Sequence, residues 1–201
     1  MRTIIPEKLI GYGHKRRSLR DIILCIDQSG SMATSVIYSS IFGAALASLR
    51  AVNTRLVVFD TAVVDLTDEL HDPVELLFGT QLGGGTDINR ALAYCQGVIG
   101  RPSDTILVLI TDLYEGGNGD ELLKRVAALV SSGVQLVCLL ALNDQGAPIY
   151  DERRAAALAA LGVPAFACTP DLFPDLLAAA IQRRDLTLWA ARQDIVAARA
   201  G

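Results

Sequence analysis

Asp27, Ser29 and Ser31 put a carboxylate and two hydroxyls at alternate positions of the stretch Asp27-Gln28-Ser29-Gly30-Ser31. The stretch follows an apolar run, Ile22-Ile23-Leu24-Cys25-Ile26, and precedes helix-like spacing that begins near Met32. A turn between a buried strand and a helix can converge several oxygens on one point, and oxygen is what hard divalent cations take as ligand. Thr86 follows the glycines Gly83-Gly84-Gly85, and Asp112 ends a second long apolar run. The five residues Asp27, Ser29, Ser31, Thr86 and Asp112 are therefore candidate ligands of a divalent-cation site used for binding. A plainer reading makes Ser29 and Ser31 helix caps and Asp27 a strand end. Thr86 and Asp112, on separate elements, favour the cation site.

The elements that must position these residues can be read from the pattern. Residues 21–27 form a strand apolar on both faces, as a central parallel strand is, and 33–50 form a helix with small and apolar faces. Arg55–Asp60 is a second strand, and Thr61–Leu66 is its hairpin partner at the sheet edge. Asp72-Pro73 opens a short helix that ends near Phe78-Gly79. Thr86 or Asp87 caps a helix over 87–99. Asp104–Thr111 is a third long strand, Glu115–Gly119 a loop and Asp120–Ser132 a helix stopped by Gly133. Val134–Leu142 is a strand followed by a loop over Asn143–Pro148. Asp151–Leu161 is a helix, Val163–Cys168 a short strand and Pro170–Ile181 a further helix. Asp185–Ala200 either extends that helix or forms a separate one carrying Trp189.

Strands alternating with helices predict an α/β fold, with a doubly wound, mostly parallel, Rossmann-like sheet and one antiparallel edge strand. In such sheets ligands bind at the carboxyl edge of the strands, near the switch point. Asp27 and Asp112 both occupy that position, and neighbouring first and third long strands would bring the two carboxylates together. The predicted organisation is a basic N-terminal arm at 1–20, a domain at 21–181 and a C-terminal helical extension at 182–201.

Hydrophobic residues make up 51% of the 201-residue chain and charged residues 20%, which indicates a soluble globular domain and excludes a disordered chain. No apolar run approaches the roughly 18 residues of a membrane span, and no apolar segment of a secretory signal opens the sequence. Cys25, Cys95, Cys138 and Cys168 form no C-x-x-C pair. They read as buried, reduced thiols, which points to the cytoplasm and away from zinc. Residues 1–20 carry six basic side chains against Glu7 alone, while the whole chain carries −4. The arm has no aromatic interleaving beyond Tyr12, and an acidic body repels phosphate, so nucleic acid is disfavoured. His14 and His71 stand alone in surface-like segments.

The order Asp-x-Ser-x-Ser at 27–31, Thr86 after a glycine loop, and Thr111-Asp112 resembles the metal-ion-dependent adhesion site (MIDAS) of von Willebrand factor A-type (vWA) domains. The stretches Ile23–Met32, Gln81–Ile88 and Val108–Gly117 are similar to the bacterial CoxE-like branch, which is associated with MoxR-type AAA+ ATPases. The resemblance spans about residues 21–181. It implies that Ser29 and Ser31 ligate Mg²⁺ or Mn²⁺ directly, and that Thr86 does so when a ligand is bound. It further implies that Asp27 and Asp112 act largely through water or as charges close behind the ligands, with one of them able to ligate directly. It also implies an AAA+ ATPase partner, and members of the branch often carry further sequence before this domain.

Neutral hydroxyls around Mg²⁺ leave much of its charge uncompensated, so an open position favours an outside anion. The expected function is non-catalytic capture of an Asp or Glu from a protein partner. The helix expected from Met32 would add its positive end to the same point. Tyr114, Glu115, Asp144 and Asp171 are rim candidates for partner choice. The alternative is an enzyme of Mg²⁺-dependent phosphoryl transfer. Against it, Ser29 stands where phosphatases of the haloacid dehalogenase type carry a second Asp, the Gly83–Gly85 run lacks a P-loop Lys, and two histidines offer no Ser-His-Asp set.

Overall fold

The structure, a computed structural model, describes residues 20–32, 53–69, 84–141, 149–193, 195, 197 and 198. Elements are numbered among these. The strands are β1 (Asp21–Asp27), β2 (Asn53–Phe59), β3 (Val63–Asp65), β4 (Thr105–Thr111), β5 (Gln135–Leu140) and β6 (Ala165–Phe166). The helices are α1 (Ile88–Val98), α2 (Gly119–Ser131), α3 (Glu152–Ala160), α4 (Phe173–Ile181) and α5 (Leu186–Arg192). Expectations for the arm, the helix over 33–50, the short helix after Asp72, Gln81–Gly83, the loop around Asp144, and both histidines lie outside the described residues.

The strands form one sheet in the order β3-β2-β1-β4-β5-β6. All neighbours pair in parallel except β2 with β3, which is the antiparallel edge hairpin the sequence predicts. Chain order reverses between β1 and β4, so the switch point falls where Asp27 and Asp112 leave the sheet.

The central strands are apolar on both faces because both faces are covered. Ile22, Leu24 and Ile26 pack toward α4 and α5, in a layer with Phe166, Phe173, Leu177 and Ala190. Ile23 and Cys25 pack toward α1, α2 and α3, with Leu92, Val126 and Leu158. Each fully buried aliphatic or aromatic side chain contributes roughly 1.5–3 kcal/mol, so the sheet is a stiff platform for the loops at its carboxyl edge. The four cysteines are buried and free, as their apolar surroundings predict.

The helices start and stop where their local chemistry dictates. Asp87, Asn118, Asp151 and Asp185 each accept backbone N–H bonds at the starts of α1, α2, α3 and α5. Gly133 and Gly162 follow α2 and α3 with positive φ. The chain after Ile181 turns and forms α5 as a separate helix, with Leu186 and Ala190 buried in the core. Beyond α5, Ala197 bridges antiparallel to Phe166, and the Ala198 N–H donates to the Ala165 carbonyl. That stretch is thus not helical throughout. It supplies backbone partners to the short edge strand β6, whose polar groups would otherwise face water unpaired. Among the described residues no helix is long and apolar enough to cross a membrane.

Candidate metal centre

The carboxyl ends of β1 and β4 carry the candidate ligands. The β1–β4 register sets Ile26 opposite Ile110, which leaves Asp27 and Thr111 level one step further on. Thr111 uses that position to donate its hydroxyl to Asp27 Oδ2 at 2.6 Å. The Ser29 N–H donates to Asp27 Oδ1 at 2.9 Å. Both carboxylate oxygens are thereby oriented, and the side chain has no exposure to solvent. Burial pushes the Asp27 carboxyl up to about 6, against the pull of the hydrogen bonds from Ser29 and Thr111, and the charge of Asp112 adds to the rise.

After Asp27 the chain turns through a single 3-10 turn, Gly30–Met32, with Met32 buried as its anchor. The helix expected to follow lies outside the described residues. The turn brings the Ser29 and Ser31 hydroxyl oxygens to 3.2 Å from each other. Adjacent ligands in an octahedron of radius about 2.1 Å stand roughly 3.0 Å apart, so the two hydroxyls already have the spacing of neighbouring Mg²⁺ ligands. Ser29 is buried and Ser31 exposed, which leaves the pair open on one side.

Two backbone ties bring Thr86 to the same edge. The Gly30 N–H donates to the Gly84 carbonyl at 3.0 Å, and the Gly116 N–H donates to the Thr86 carbonyl at 2.9 Å. Asp60, at the end of β2, holds the glycine loop from below, its Oδ2 accepting the Gly84 N–H and its carbonyl the Asp87 N–H. Asp87 Oδ1 caps α1 through the Arg90 N–H at 2.8 Å. Asp87 is thus the cap, and the Thr86 hydroxyl is not needed for that role.

Asp112 is 2% exposed, and its Oδ1 accepts the Tyr114 N–H at 3.0 Å. Its carbonyl accepts the Asp151 N–H, which fixes the loop to the start of α3. Leu113 follows with φ +62°, a left-handed conformation that costs a branched side chain roughly 1–2 kcal/mol. Its buried side chain holds it there, and the Arg154 guanidinium donates to its carbonyl at 3.1 Å.

All five sequence-predicted residues therefore lie at one edge of the sheet, Asp27 as the last residue of β1 and the others on the turns and loops beside it. Asp60 has no place among the sequence candidates, and Thr111 enters there only as the neighbour of Asp112 in the motif, not as a partner of Asp27. Thr111 is legible only as a hydroxyl on a buried strand beside an Asp, and Asp60 as a carboxylate at a strand end. Of the rim candidates, Tyr114 stands half-exposed, Glu115 is turned inward, Asp171 is exposed, and Asp144 lies outside the described residues. Among the described residues no cluster of three or more carboxylate, imidazole or thiol groups could hold a metal. A cation at this edge has to be held by a mixed set of hydroxyls and two carboxylates, and that donor set fits a hard ion such as Mg²⁺ or Mn²⁺.

Glycine is required where the loops touch. A Cβ on Gly116 would stand 2.9 Å from the Thr86 carbonyl oxygen, a backbone atom that cannot swing aside. Gly116→Ala is expected to destabilise the fold by about 1–3 kcal/mol and to loosen Thr86, read as a lower urea midpoint.

A family model described as "VWA domain containing CoxE-like protein" matches residues 1–177. The chain is 43% identical over 169 residues to the uncharacterized protein YehP of Escherichia coli strain K12. That match covers 84% of this chain and 45% of YehP, so the chain spans less than half of that relative's length. Similar solved structures include a von Willebrand factor type A protein from Catenulispora acidiphila, with TM-score 0.61 and 15% identity over 79% of this chain and 41% of that one. BatB from Bacteroides thetaiotaomicron gives TM-score 0.58 and 15% identity over 78% of this chain and 95% of that one. At such identities the structural likeness is one of fold. With the sheet order above and a family match over most of its length, the chain belongs to the CoxE-like family of proteins containing a vWA domain.

Proposed function

We propose that this domain is a non-catalytic protein-binding module that holds Mg²⁺ or Mn²⁺ at its carboxyl edge and captures a carboxylate from a partner. The observation that carries the reading is the 3.2 Å spacing of the Ser29 and Ser31 hydroxyls beside the buried, oriented Asp27. Ser29, Ser31 and Thr86 would supply neutral oxygens, and Asp27 and Asp112 would supply charge close by. The bound cation supplies attraction for an anion that the metal-free edge, with two carboxylates, would repel. The oxygens that face it lie on loops stapled to one another, so little is lost in ordering them on binding.

The partner class follows the same chemistry: a protein presenting an Asp or Glu side chain. A MoxR-type AAA+ ATPase acting with this domain in assembly or maturation of a protein complex belongs to the same proposal, supported by the family resemblance. A phosphoryl-transfer enzyme is the less favoured reading, because Ser29 stands where that chemistry needs a second carboxylate.

The test is affinity capture by the immobilised domain in Mg²⁺ and in chelator, beside Asp112→Ala. Partner recovery should be lost in chelator and with the variant, and recovery unaffected by both would sink the reading. Tyr114→Ser should reduce capture severalfold with Mn²⁺ affinity unchanged, because its exposed ring stands on the rim and only its backbone N–H bonds Asp112.

A further inference from the structure

We infer that Glu115 is the positioning residue that couples the Thr86 side of the site to the Asp112 side; the inference rests on the cation reading above. Its carboxylate is enclosed, with the residue 9% exposed. Oε2 accepts the Ile88 N–H at 2.8 Å and the Asn89 N–H at 3.2 Å. Oε1 accepts the Gly117 N–H at 2.7 Å. One side chain thus joins the first turn of α1, two residues beyond Thr86, to the loop that begins at Asp112.

The bonds are not needed merely to start the helix. Asp87 already caps α1 through the Arg90 N–H. Glu115 takes the N–H groups of the first two helical residues, which no side chain of α1 satisfies here, and it takes them from across the site. A carboxylate is favoured there by the positive end of α1 and by three N–H donors at once. The loop is shaped around it: a Cβ on Gly117 would meet Glu115 Oε1 at 2.6 Å. The Gly116–Thr86 backbone bond lies beside it as a second tie. Arg154 braces the same loop from α3, donating to the Leu113 carbonyl while paired with Asp151 Oδ2 at 2.6 Å.

The consequence is that the place of the Thr86 hydroxyl relative to Asp112 is set by Glu115. In Glu115→Gln one oxygen becomes an NH₂ that faces N–H donors, so one of the two strands of this tie is lost while the side-chain shape is kept. Residues that orient a ligand commonly change metal affinity by 10–100-fold when altered, and Glu115→Gln is expected to weaken Mn²⁺ binding about tenfold.

The deciding experiment is a double-mutant cycle on Mn²⁺ affinity, measured by titration calorimetry with excess acetate as the carboxylate probe. If Glu115 acts through Thr86, Glu115→Gln costs about tenfold in wild type and little in a Thr86→Ala background. Gly117→Ala, which displaces the carboxylate without removing its charge, should weaken Mn²⁺ binding in the same way. An equal loss in both backgrounds, or unchanged Mn²⁺ affinity in Glu115→Gln and Gly117→Ala, overturns the inference. Ser29→Ala serves as the separate control. If it binds Mn²⁺ as wild type does, the cation reading itself fails, and this inference with it.

Discussion

Ser29→Ala is expected to weaken Mg²⁺ and Mn²⁺ binding on the order of 100-fold, equivalent to roughly 2.7 kcal/mol, with the fold intact. The substitution removes one neutral oxygen from the pair at 3.2 Å and leaves the backbone bond from the Ser29 N–H to Asp27 Oδ1 in place. Its loss cannot be replaced cheaply by water, because residue 29 is buried and a water would need room that a methyl group does not vacate. Calorimetric titration with Mn²⁺ reads the affinity, and the urea midpoint in chelator reads the fold. A midpoint near wild type with binding gone is the expected pair of results. Unchanged affinity would leave Ser29 as a turn residue and overturn the cation reading, which rests on the Ser29–Ser31 pair.

The second large effect is a pH dependence of stability in the metal-free protein. Burial holds the Asp27 carboxyl at about 6, above its unfolded value of 3.8. A carboxyl raised on folding stabilises the folded state fully below the unfolded pKa, and that contribution is lost as pH rises through about 6. The gap between the two values corresponds to about 3 kcal/mol. In chelator, urea unfolding should therefore show stability falling from pH 4 to pH 7.5 by up to that amount from this group. Asp65, held below the usual carboxylate range despite its partial burial by bonds from Thr67 and Tyr94 and by Arg55, works in the opposite direction over a lower range. Asp27→Asn isolates the contribution of this carboxyl, because the variant cannot ionise there and should lose the fall. Saturating Mg²⁺ should reverse the trend above pH 6, since the cation stabilises the ionised form. A wild-type curve parallel to that of Asp27→Asn would show that the buried carboxyl titrates normally.

Much of this architecture is written in local pattern. The β1 boundaries coincide with the apolar run, and β4 and β5 agree with their runs to within two residues, because a strand covered on both faces has no polar position until it leaves the core. Helix starts near 87 and 151 were legible, because short polar side chains there can reach an N–H two or three residues on, but local pattern leaves Thr86 and Asp87 both open as the cap of α1. Shorter elements were less legible. β6 is two residues long within a six-residue apolar stretch, because only Ala165 and Phe166 find β5 beside them. The stretch after Arg192 does not continue as helix, because a bridge to β6 offers it backbone partners.

The candidate oxygens of the site and the sheet edge that carries them are legible in the chain order alone. Asp27, Ser29, Ser31 and Asp112 follow from residue type and from position at the ends of strands, and Thr86 from its place after a glycine run. The tertiary fold adds the contacts between distant parts of the chain. It gave the cap of α1 to Asp87, turned Glu115 inward from the rim, and brought Thr111 onto Asp27. The physical reason is range. Caps and strand faces depend on neighbours a few residues away, whereas Thr111 meets Asp27 across 84 positions and Glu115 meets Ile88 across 27. Such contacts exist only once strand register and loop closure have been fixed by the core, and no local periodicity records them.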